Sequence, residues 1–299
     1  MQTNEFLLIT ASINIRTDTP VSVLNDPKER LLEYLTSLVA WIKLTSITNI
    51  IFCENTNIDY DFSKIIDLAK REGKNLEILV FSGNRYTHKH GKGYGEGEII
   101  EYAIKNSTYL KNSVNFYKVT GRLFIPEFDK IQGLHSHLSN VFDLTVFSAG
   151  MSTETDHPSK TIKQRLRSMV RFLYIYFGRG RGRGPHKPEH HISTLFYKVN
   201  VKFYKQNLIN SYKRVNDRKA YFLENIFYED LLKKEFNPFL SSYSVIGRSG
   251  STGLPYSTGW TILCLASRSL TENATDPSYF NQEYSEEIRS IAQTFLYET

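Results

Sequence analysis

The chain has 299 residues, of which 40% are hydrophobic and 23% charged, a composition that fits a water-soluble globular protein with a substantial core. Its net charge of +6 favours an acidic partner, which a phosphorylated substrate, an anionic membrane face or nucleic acid would each supply. Cys53 and Cys264 exclude a disulfide scaffold, and no signal peptide or apolar run of about 18 residues is visible. We therefore expect a cytoplasmic protein, either soluble or peripheral on the inner face of the cell membrane.

Strand-like and helix-like segments alternate through the first 120 residues. Short apolar runs typical of buried strands occupy residues 6–11, 49–53, 76–81 and 114–120. Between them, residues 31–42 and 65–68 carry apolar side chains at helical spacing, and Asp26 with Pro27 marks the start of the first helix. The alternation predicts an α/β fold with a mostly parallel, Rossmann-like sheet flanked by helices.

Polar side chains follow the ends of these predicted strands. Because the carboxyl ends of parallel strands meet at one edge of the sheet, where open α/β folds bind their ligands, we expect them to line a nucleotide pocket. These residues are Thr10, Ser12, Glu54, Asn55, Thr56, Asn84, Thr120 and Gly121.

Glycine occupies every second position from Gly91 to Gly97. This pattern predicts a turn that leads into a helix beginning near Ile99, with Gly93, Gly95 and Gly97 allowing the backbone to approach a ligand closely. The free N–H groups and positive dipole end of that helix would hold a phosphate, and Lys92 would add a positive charge. A surface unit with a flexible loop is the alternative, since a glycine-rich turn alone is weak evidence.

Three charged residues are candidates for the chemistry. Arg122, at the end of the fourth strand, could bind a diphosphate with two parallel hydrogen bonds and offset the charge of a leaving group; a surface salt bridge is the alternative. Glu224 lies among apolar neighbours, where burial makes a carboxylate a better general base. Asp230 is the second choice, and a solvated helix face is the alternative for both.

The second half of the chain is less regular. Residues 178–191 contain alternating Gly and Arg and predict a mobile loop, and the basic amphipathic stretch before them, residues 160–177, is typical of a helix attracted to anionic lipid. Nucleic acid is the less favoured partner for this stretch.

Ser249, Ser251 and Thr252 in a later Gly/Ser-rich loop are candidates for contact with an acceptor. We expect residues 1–150 to form a nucleotide-sugar-binding half and residues 151–299 an acceptor-side half of one catalytic domain.

Taken together, residues 50–56, 91–98, 116–122 and 250–253 resemble the GT-A glycosyltransferases of bacterial capsule and lipopolysaccharide biosynthesis. The resemblance spans roughly residues 5–260. It implies a GT-A-like fold and an enzyme that transfers a sugar from a nucleotide-sugar donor to a surface glycan, free or lipid-linked.

This chain departs from the pattern of that family at one motif. In GT-A enzymes the strand that matches residues 116–122 ends in an Asp-x-Asp motif that binds a divalent metal, whereas here it ends in Thr120, Gly121 and Arg122. The resemblance therefore gives no support for a Mn²⁺ or Mg²⁺ cofactor, and we predict no metal ligand. A non-catalytic protein that binds polyanions or nucleic acid and a nucleotidyltransferase remain alternatives.

Overall fold

A computed structural model describes residues 5–146, except 21, 23 and 112, together with residues 190–251, 253 and 256. The strands of this part are β1 (Phe6–Ala11), β2 (Asn49–Glu54), β3 (Asn75–Val80), β4 (Asn115–Thr120), β5 (Val141–Phe142), β6 (Leu144–Val146), β7 (His190–Ile192), β8 (Phe196–Asn200) and β9 (Asn237–Pro238). The α-helices are α1 (Pro27–Leu44), α2 (Ser63–Arg71), α3 (Thr87–His90), α4 (Lys92–Asn106), α5 (Thr108–Lys111), α6 (Phe128–Leu134), α7 (Val201–Asn207) and α8 (Leu223–Leu231). Two 3-10 helices cover Ser211–Arg214 and Asp217–Lys219.

Seven of these strands form one sheet in the order β3-β2-β1-β4-β8-β5-β9. Strands β1 to β4 are parallel to one another, whereas β8 runs antiparallel to both β4 and β5. Strands β6 and β7 form a separate antiparallel ribbon. The mostly parallel α/β sheet predicted from the sequence is confirmed, and strands from the second half of the chain extend it.

The sheet is buried on both faces. Alternate residues of β1 point to opposite sides, so that Leu7 and Ile9 pack with α1, α2 and α6 while Phe6 and Leu8 pack with α4, α7 and α8. Each large apolar side chain that is fully buried in these layers stabilises the fold by about 1.5–3 kcal/mol. The two apolar layers explain why the strands are continuous apolar runs in the sequence.

Helix α1 begins as predicted and also holds the turn that follows β4. The side chain of Asp26 accepts hydrogen bonds from the backbone N–H groups of Lys28 and Glu29, and Pro27 is the first helical residue. Further along the helix, Ser37 and Trp41 both donate to the carbonyl of Leu123, at 2.9 Å each. The turn that carries Arg122 is therefore anchored to a buried helix.

The glycine-rich stretch is helical, so the prediction of a turn ahead of Ile99 is wrong. Helix α4 already begins at Lys92, and Gly93, Gly95 and Gly97 lie buried inside it. A Cβ atom at Gly97 would lie within 3.0 Å of Tyr212, one at Gly95 within 3.0 Å of Thr87, and one at Gly93 3.0 Å from Leu223. The glycines allow neighbouring elements to pack closely against α4, and this packing outweighs their low helix propensity.

The elements after α6 are short. An apolar run that starts at Phe142 is divided between β5 and β6, and α8 spans nine residues. The basic stretch at 160–177, most of the Gly/Arg segment, Thr252 and Cys264 lie outside the described residues. In the part of the chain that is described, no helix combines the length and the apolar character that a membrane crossing requires.

Candidate functional site

A cleft opens above the carboxyl ends of β1 and β4, where the sequence places a ligand. It encloses about 830 Å³, including the space open to solvent at its mouth. Eight of the predicted site residues line it: Thr10, Ser12, Asn84, Lys92, Gly95, Thr120, Arg122 and Glu224. The cleft also contains residues that the sequence analysis did not assign, among them Arg30, Tyr34, Glu96, Thr194 and Arg248.

One side of the cleft is formed by Arg30, Arg122 and Arg248, which we call the arginine wall. All three are buried. Arg122 Nη1 lies 3.3 Å from Glu33 Oε2, and Arg248 contacts the same carboxylate and that of Glu29. Arg122 therefore forms an ion pair, as in the alternative reading, but a buried one at the cleft and not one at the surface.

The arginine wall carries three positive charges, and the described residues place two carboxylates beside them. The guanidinium of Arg30 donates to the backbone carbonyls of Ser12 and Leu24, at 2.8 and 2.9 Å, and burial lowers its pKa. Glu33, the buried one of the two carboxylates, contacts two of the guanidinium groups, and Nε of Arg122 has no hydrogen-bond partner among the described residues. Buried charge without a counter-ion is costly, so this wall is suited to an anionic ligand.

The opposite side of the cleft carries Glu96 and Glu224, which we call the carboxylate wall. Glu96 comes from α4 and contacts the ammonium of Lys118, a β4 residue with 0% exposure. Glu224, in the first turn of α8, accepts a hydrogen bond of 3.1 Å from the hydroxyl of Thr194. Burial lowers the pKa of Lys118, and the negative charge of Glu224 opposes this effect.

The N-terminus of α4 does not stand free to hold a phosphate. The carboxylate of Asp217 accepts a hydrogen bond of 3.0 Å from the backbone N–H of Lys92, the first residue of the helix. Burial, followed by repulsion from Glu224, raises the pKa of Asp217 to about 7. An internal carboxyl group thus takes the place that the sequence analysis gave to phosphate, while the Lys92 side chain reaches the cleft and contacts Ser251.

Three predicted pocket residues support the wall of the cleft from behind. Glu54 is fully buried and accepts hydrogen bonds from the backbone N–H groups of Ile13 and Thr56, at 3.0 and 2.9 Å. Asn55 accepts a hydrogen bond of 2.5 Å from the hydroxyl of Ser12. These contacts hold the loops after β1 and β2 together, and Glu54, Asn55 and Thr56 do not themselves line the cleft.

Several other predicted residues also lie away from the cleft. Asp230 is bound to Ser211 and Arg214, both at 2.5 Å, near the far end of α8. Gly121 lets the backbone pass close to Thr10, whose carbonyl lies 2.5 Å from where a Cβ would stand. The following predicted residues do not line the cleft, so their direct contact with a ligand stays a prediction: Gly93, Gly97, Gly121, Ser249, Ser251 and Asp230.

The sequence held weak signals of the residues that were missed. Glu96 lies within the glycine-rich stretch, Lys118 within the strand that ends at Arg122, and Arg248 in the Gly/Ser-rich loop. Arg30 occurs in an amphipathic helix, where nothing local distinguishes a buried arginine from an exposed one. Among the described residues, no group of three or more His, Cys, Asp or Glu side chains is arranged to hold a metal ion.

Comparisons with known proteins give only distant likenesses. No protein-family model matches the chain, and no curated protein matches it significantly. A Bacillus anthracis protein provisionally named a glucose-1-phosphate thymidylyltransferase, solved with sucrose, is 13% identical, with a TM-score of 0.43 over 93% of this chain and 99% of its own.

Two further solved structures are similarly distant. A Desulfovibrio desulfuricans protein provisionally named a nucleotide-diphospho-sugar transferase is 8% identical, with a TM-score of 0.41 over 80% of this chain and 79% of its own. The 4-diphosphocytidyl-2C-methyl-D-erythritol synthase of Anaerococcus prevotii is 12% identical, with a TM-score of 0.38 over 90% and 97%. TM-scores this low establish neither a family nor an activity for this chain.

Proposed function

We propose that the protein is a glycosyltransferase that binds a nucleotide-activated sugar in the cleft between the arginine wall and the carboxylate wall. The observation that carries this proposal is the uneven charge of the cleft. Three buried guanidinium groups lie beside two carboxylates on one side, whereas on the other side Glu96 and Glu224 each face a lysine, so that this side is close to neutral. A nucleotide sugar has matching parts, an anionic phosphate group and a neutral ring rich in hydroxyl groups. The phosphates would bind Arg122 and its neighbours, and the sugar would face Glu96 and Glu224.

Glu224 is our candidate for the general base. It would remove the proton from an acceptor hydroxyl, whose oxygen attacks the anomeric carbon of the donor. The bond between that carbon and the phosphate oxygen breaks, and the nucleotide leaves with the bonding electrons. Arg122 would stabilise the negative charge that develops on the leaving phosphate, a role that a fixed, buried guanidinium fills without reorganisation.

The nature of the acceptor is the part of the proposal that depends on the sequence resemblance. We propose a hydroxyl group of a capsule or lipopolysaccharide glycan, free or lipid-linked, at the cytoplasmic face of the membrane. Thr10, Ser12, Asn84, Lys92 and Thr120, which line the cleft, would contact the donor. Ser251, which contacts the Lys92 side chain from outside the cleft lining, would lie towards the acceptor.

A thermal-shift screen against UDP, GDP, CDP, dTDP and CMP sugars, with EDTA or with Mn²⁺, tests the donor site. We expect one nucleotide class to raise the Tm, with no loss in EDTA. Arg122→Gln should weaken binding of that nucleotide about 10-fold or more, because a charged hydrogen-bond partner of the phosphate is lost. Arg16→Gln, a change in an exposed ion pair with Asp18, is the matched control and should not weaken it.

Product analysis separates the two enzyme classes. A glycosyltransferase releases a nucleoside mono- or diphosphate from a nucleotide sugar when an acceptor glycan is present. A nucleotidyltransferase, which would also fill an anion-binding cleft, instead releases pyrophosphate from a nucleoside triphosphate and a sugar phosphate. If no nucleotide shifts the Tm, the proposal is overturned in favour of a polyanion-binding protein, whose affinity would fall steeply with salt.

A further inference from the structure

The ammonium group of Lys118, a buried residue of β4, uses all of its hydrogen-bond donors on groups beneath the carboxylate wall. Lys118 Nζ donates to the carboxylate of Glu96, to the hydroxyl of Thr120 at 3.0 Å and to the carbonyl of Thr194. An ammonium group has three donors, so these contacts use all of them. A buried charge costs several kcal/mol unless it is paired and hydrogen-bonded, and this arrangement meets that condition.

Glu96 is held at one oxygen and available at the other. Its Oε1 accepts from Lys118 and, at 3.2 Å, from the hydroxyl of Thr120. Hydrogen bonds from the described residues to this carboxylate all go to Oε1, and the side chain remains 19% exposed at the cleft. An ionised carboxylate has no donor, so in that form Oε2 accepts hydrogen bonds from the hydroxyl groups of a ligand.

The same lysine connects Glu96 to the candidate base. Thr194 receives a hydrogen bond from Lys118 at its backbone carbonyl and donates one to Glu224 from its hydroxyl. Lys118 thus contacts Glu96 directly and is linked to Glu224 through Thr194, and the negative charge of Glu224 favours its ammonium form. One buried group is therefore in contact with, or one residue away from, both carboxylates.

We propose that Glu96 is a specificity-determining residue that accepts hydrogen bonds from ring hydroxyl groups of the transferred sugar, and that Lys118 is the positioning residue that aims it. This rests on the proposed function, because it assigns the sugar end of the nucleotide-sugar site. A carboxylate repels phosphate, so the carboxylate wall takes the neutral, hydroxyl-bearing part of the substrate. Sugars that lack the hydroxyl groups opposite Glu96 are consequently poor donors.

The test compares the free nucleotide with its sugar conjugate, using calorimetric titration of the full chain. In Glu96→Gln we expect the affinity for the nucleotide sugar to fall about 10-fold or more, while the affinity for the free nucleotide changes less than about twofold. The control Glu72→Gln, an exposed residue just after α2, should change neither. Deoxy-sugar conjugates should bind the wild type as weakly as Glu96→Gln binds the full sugar.

The role of Lys118 is tested by non-additivity. Lys118→Gln alone should lower the affinity for the nucleotide sugar and leave the affinity for the free nucleotide unchanged. In the Glu96→Gln background it should lower the affinity for the nucleotide sugar by less than about twofold more, because the carboxylate that Lys118 orients is already absent. Where Lys118→Gln fails to fold, Lys118→Met, which keeps a long side chain at this buried position but removes its charge and donors, replaces it in the same cycle.

The outcomes separate this proposal from the function on which it rests. Equal loss for nucleotide and conjugate in Glu96→Gln, or no loss for either, overturns the role of Glu96 while the donor site stands. Additive losses in the cycle overturn the positioning role of Lys118. If the wild type binds no nucleotide and no conjugate, the proposed function itself fails, and the assignment of Glu96 fails with it.

Discussion

Asp217, whose carboxylate accepts a hydrogen bond from the first N–H of α4, makes the free energy of unfolding depend on pH. The substitution Asp217→Asn isolates this dependence. Asp217 has a pKa raised to about 7 from an ordinary value of 3.8, chiefly because it is buried and secondly because Glu224 repels its charge. The native protein thus holds this proton more tightly than the unfolded chain does. The free energy of unfolding consequently falls as the pH rises from about 4 to about 7, and this contribution levels off above pH 7.

The size of the effect follows from the two pKa values. Each pKa unit corresponds to about 1.4 kcal/mol, so ionisation of Asp217 costs the native state about 4 kcal/mol by pH 8. Asp217→Asn keeps an oxygen that accepts from the Lys92 N–H but cannot ionise. We expect the variant to match the wild type near pH 4 and to be more stable than it by up to about 4 kcal/mol at pH 8.

Urea denaturation at intervals from pH 4 to pH 8 measures this difference directly. Titrating groups that do not interact with Asp217, such as Lys118, contribute equally in both proteins and cancel in the comparison. Glu224 and Lys92 interact with Asp217, so the measured difference includes their response to the loss of its charge. The exposed Asp59→Asn serves as control and should keep a constant difference from the wild type. A constant difference for Asp217→Asn as well would show that Asp217 is ionised throughout this range, and the account of its burial would be wrong.

Two further predictions concern packing and a buried thiol. Gly97→Ala should lower the free energy of unfolding by about 1–3 kcal/mol in urea titrations, because its Cβ would overlap Tyr212. The control Gly133→Ala in α6, where nothing lies within 4 Å of the added Cβ, should be neutral or slightly stabilising. Equal effects of the two substitutions would refute the packing role of Gly97. Burial raises the pKa of the Cys53 thiol, so peptide mapping after alkylation at pH 8 should find Cys53 unmodified in the native protein and modified in urea. Rapid alkylation of Cys53 in the native protein would contradict its burial in β2.

The strands and the position of the cleft could be predicted because their signals are local. Continuous apolar runs mark strands buried on both faces, and parallel strands bring their carboxyl ends to one edge, which placed Thr10, Thr120 and Arg122 together correctly. The glycines of α4 misled the prediction because their reason is distant in sequence: Tyr212 packs against Gly97 from more than a hundred residues away.

The charged residues of the site were harder to predict for the same reason. Whether Arg30 or Lys118 is buried depends on partners that other elements supply, such as the Leu24 carbonyl and the Glu96 carboxylate. Sequence patterns predict a helix face or strand face, but they do not show which charged residue on it meets a counter-charge. Asp217 illustrates this most clearly. It lies in a short 3-10 helix that has no periodic sequence pattern, yet its carboxylate accepts the hydrogen bond of the first N–H of α4.

The ribbon of β6 and β7 has a consequence for how the chain can vary. Val146 lies opposite His190, so the two ends of the intervening 147–189 segment are fixed at adjacent positions. The entropy of closing a connection grows only slowly with its length, by about 0.6 kcal/mol for each doubling. The closure entropy of this ribbon therefore sets only a weak limit on the number of residues that join its two strands.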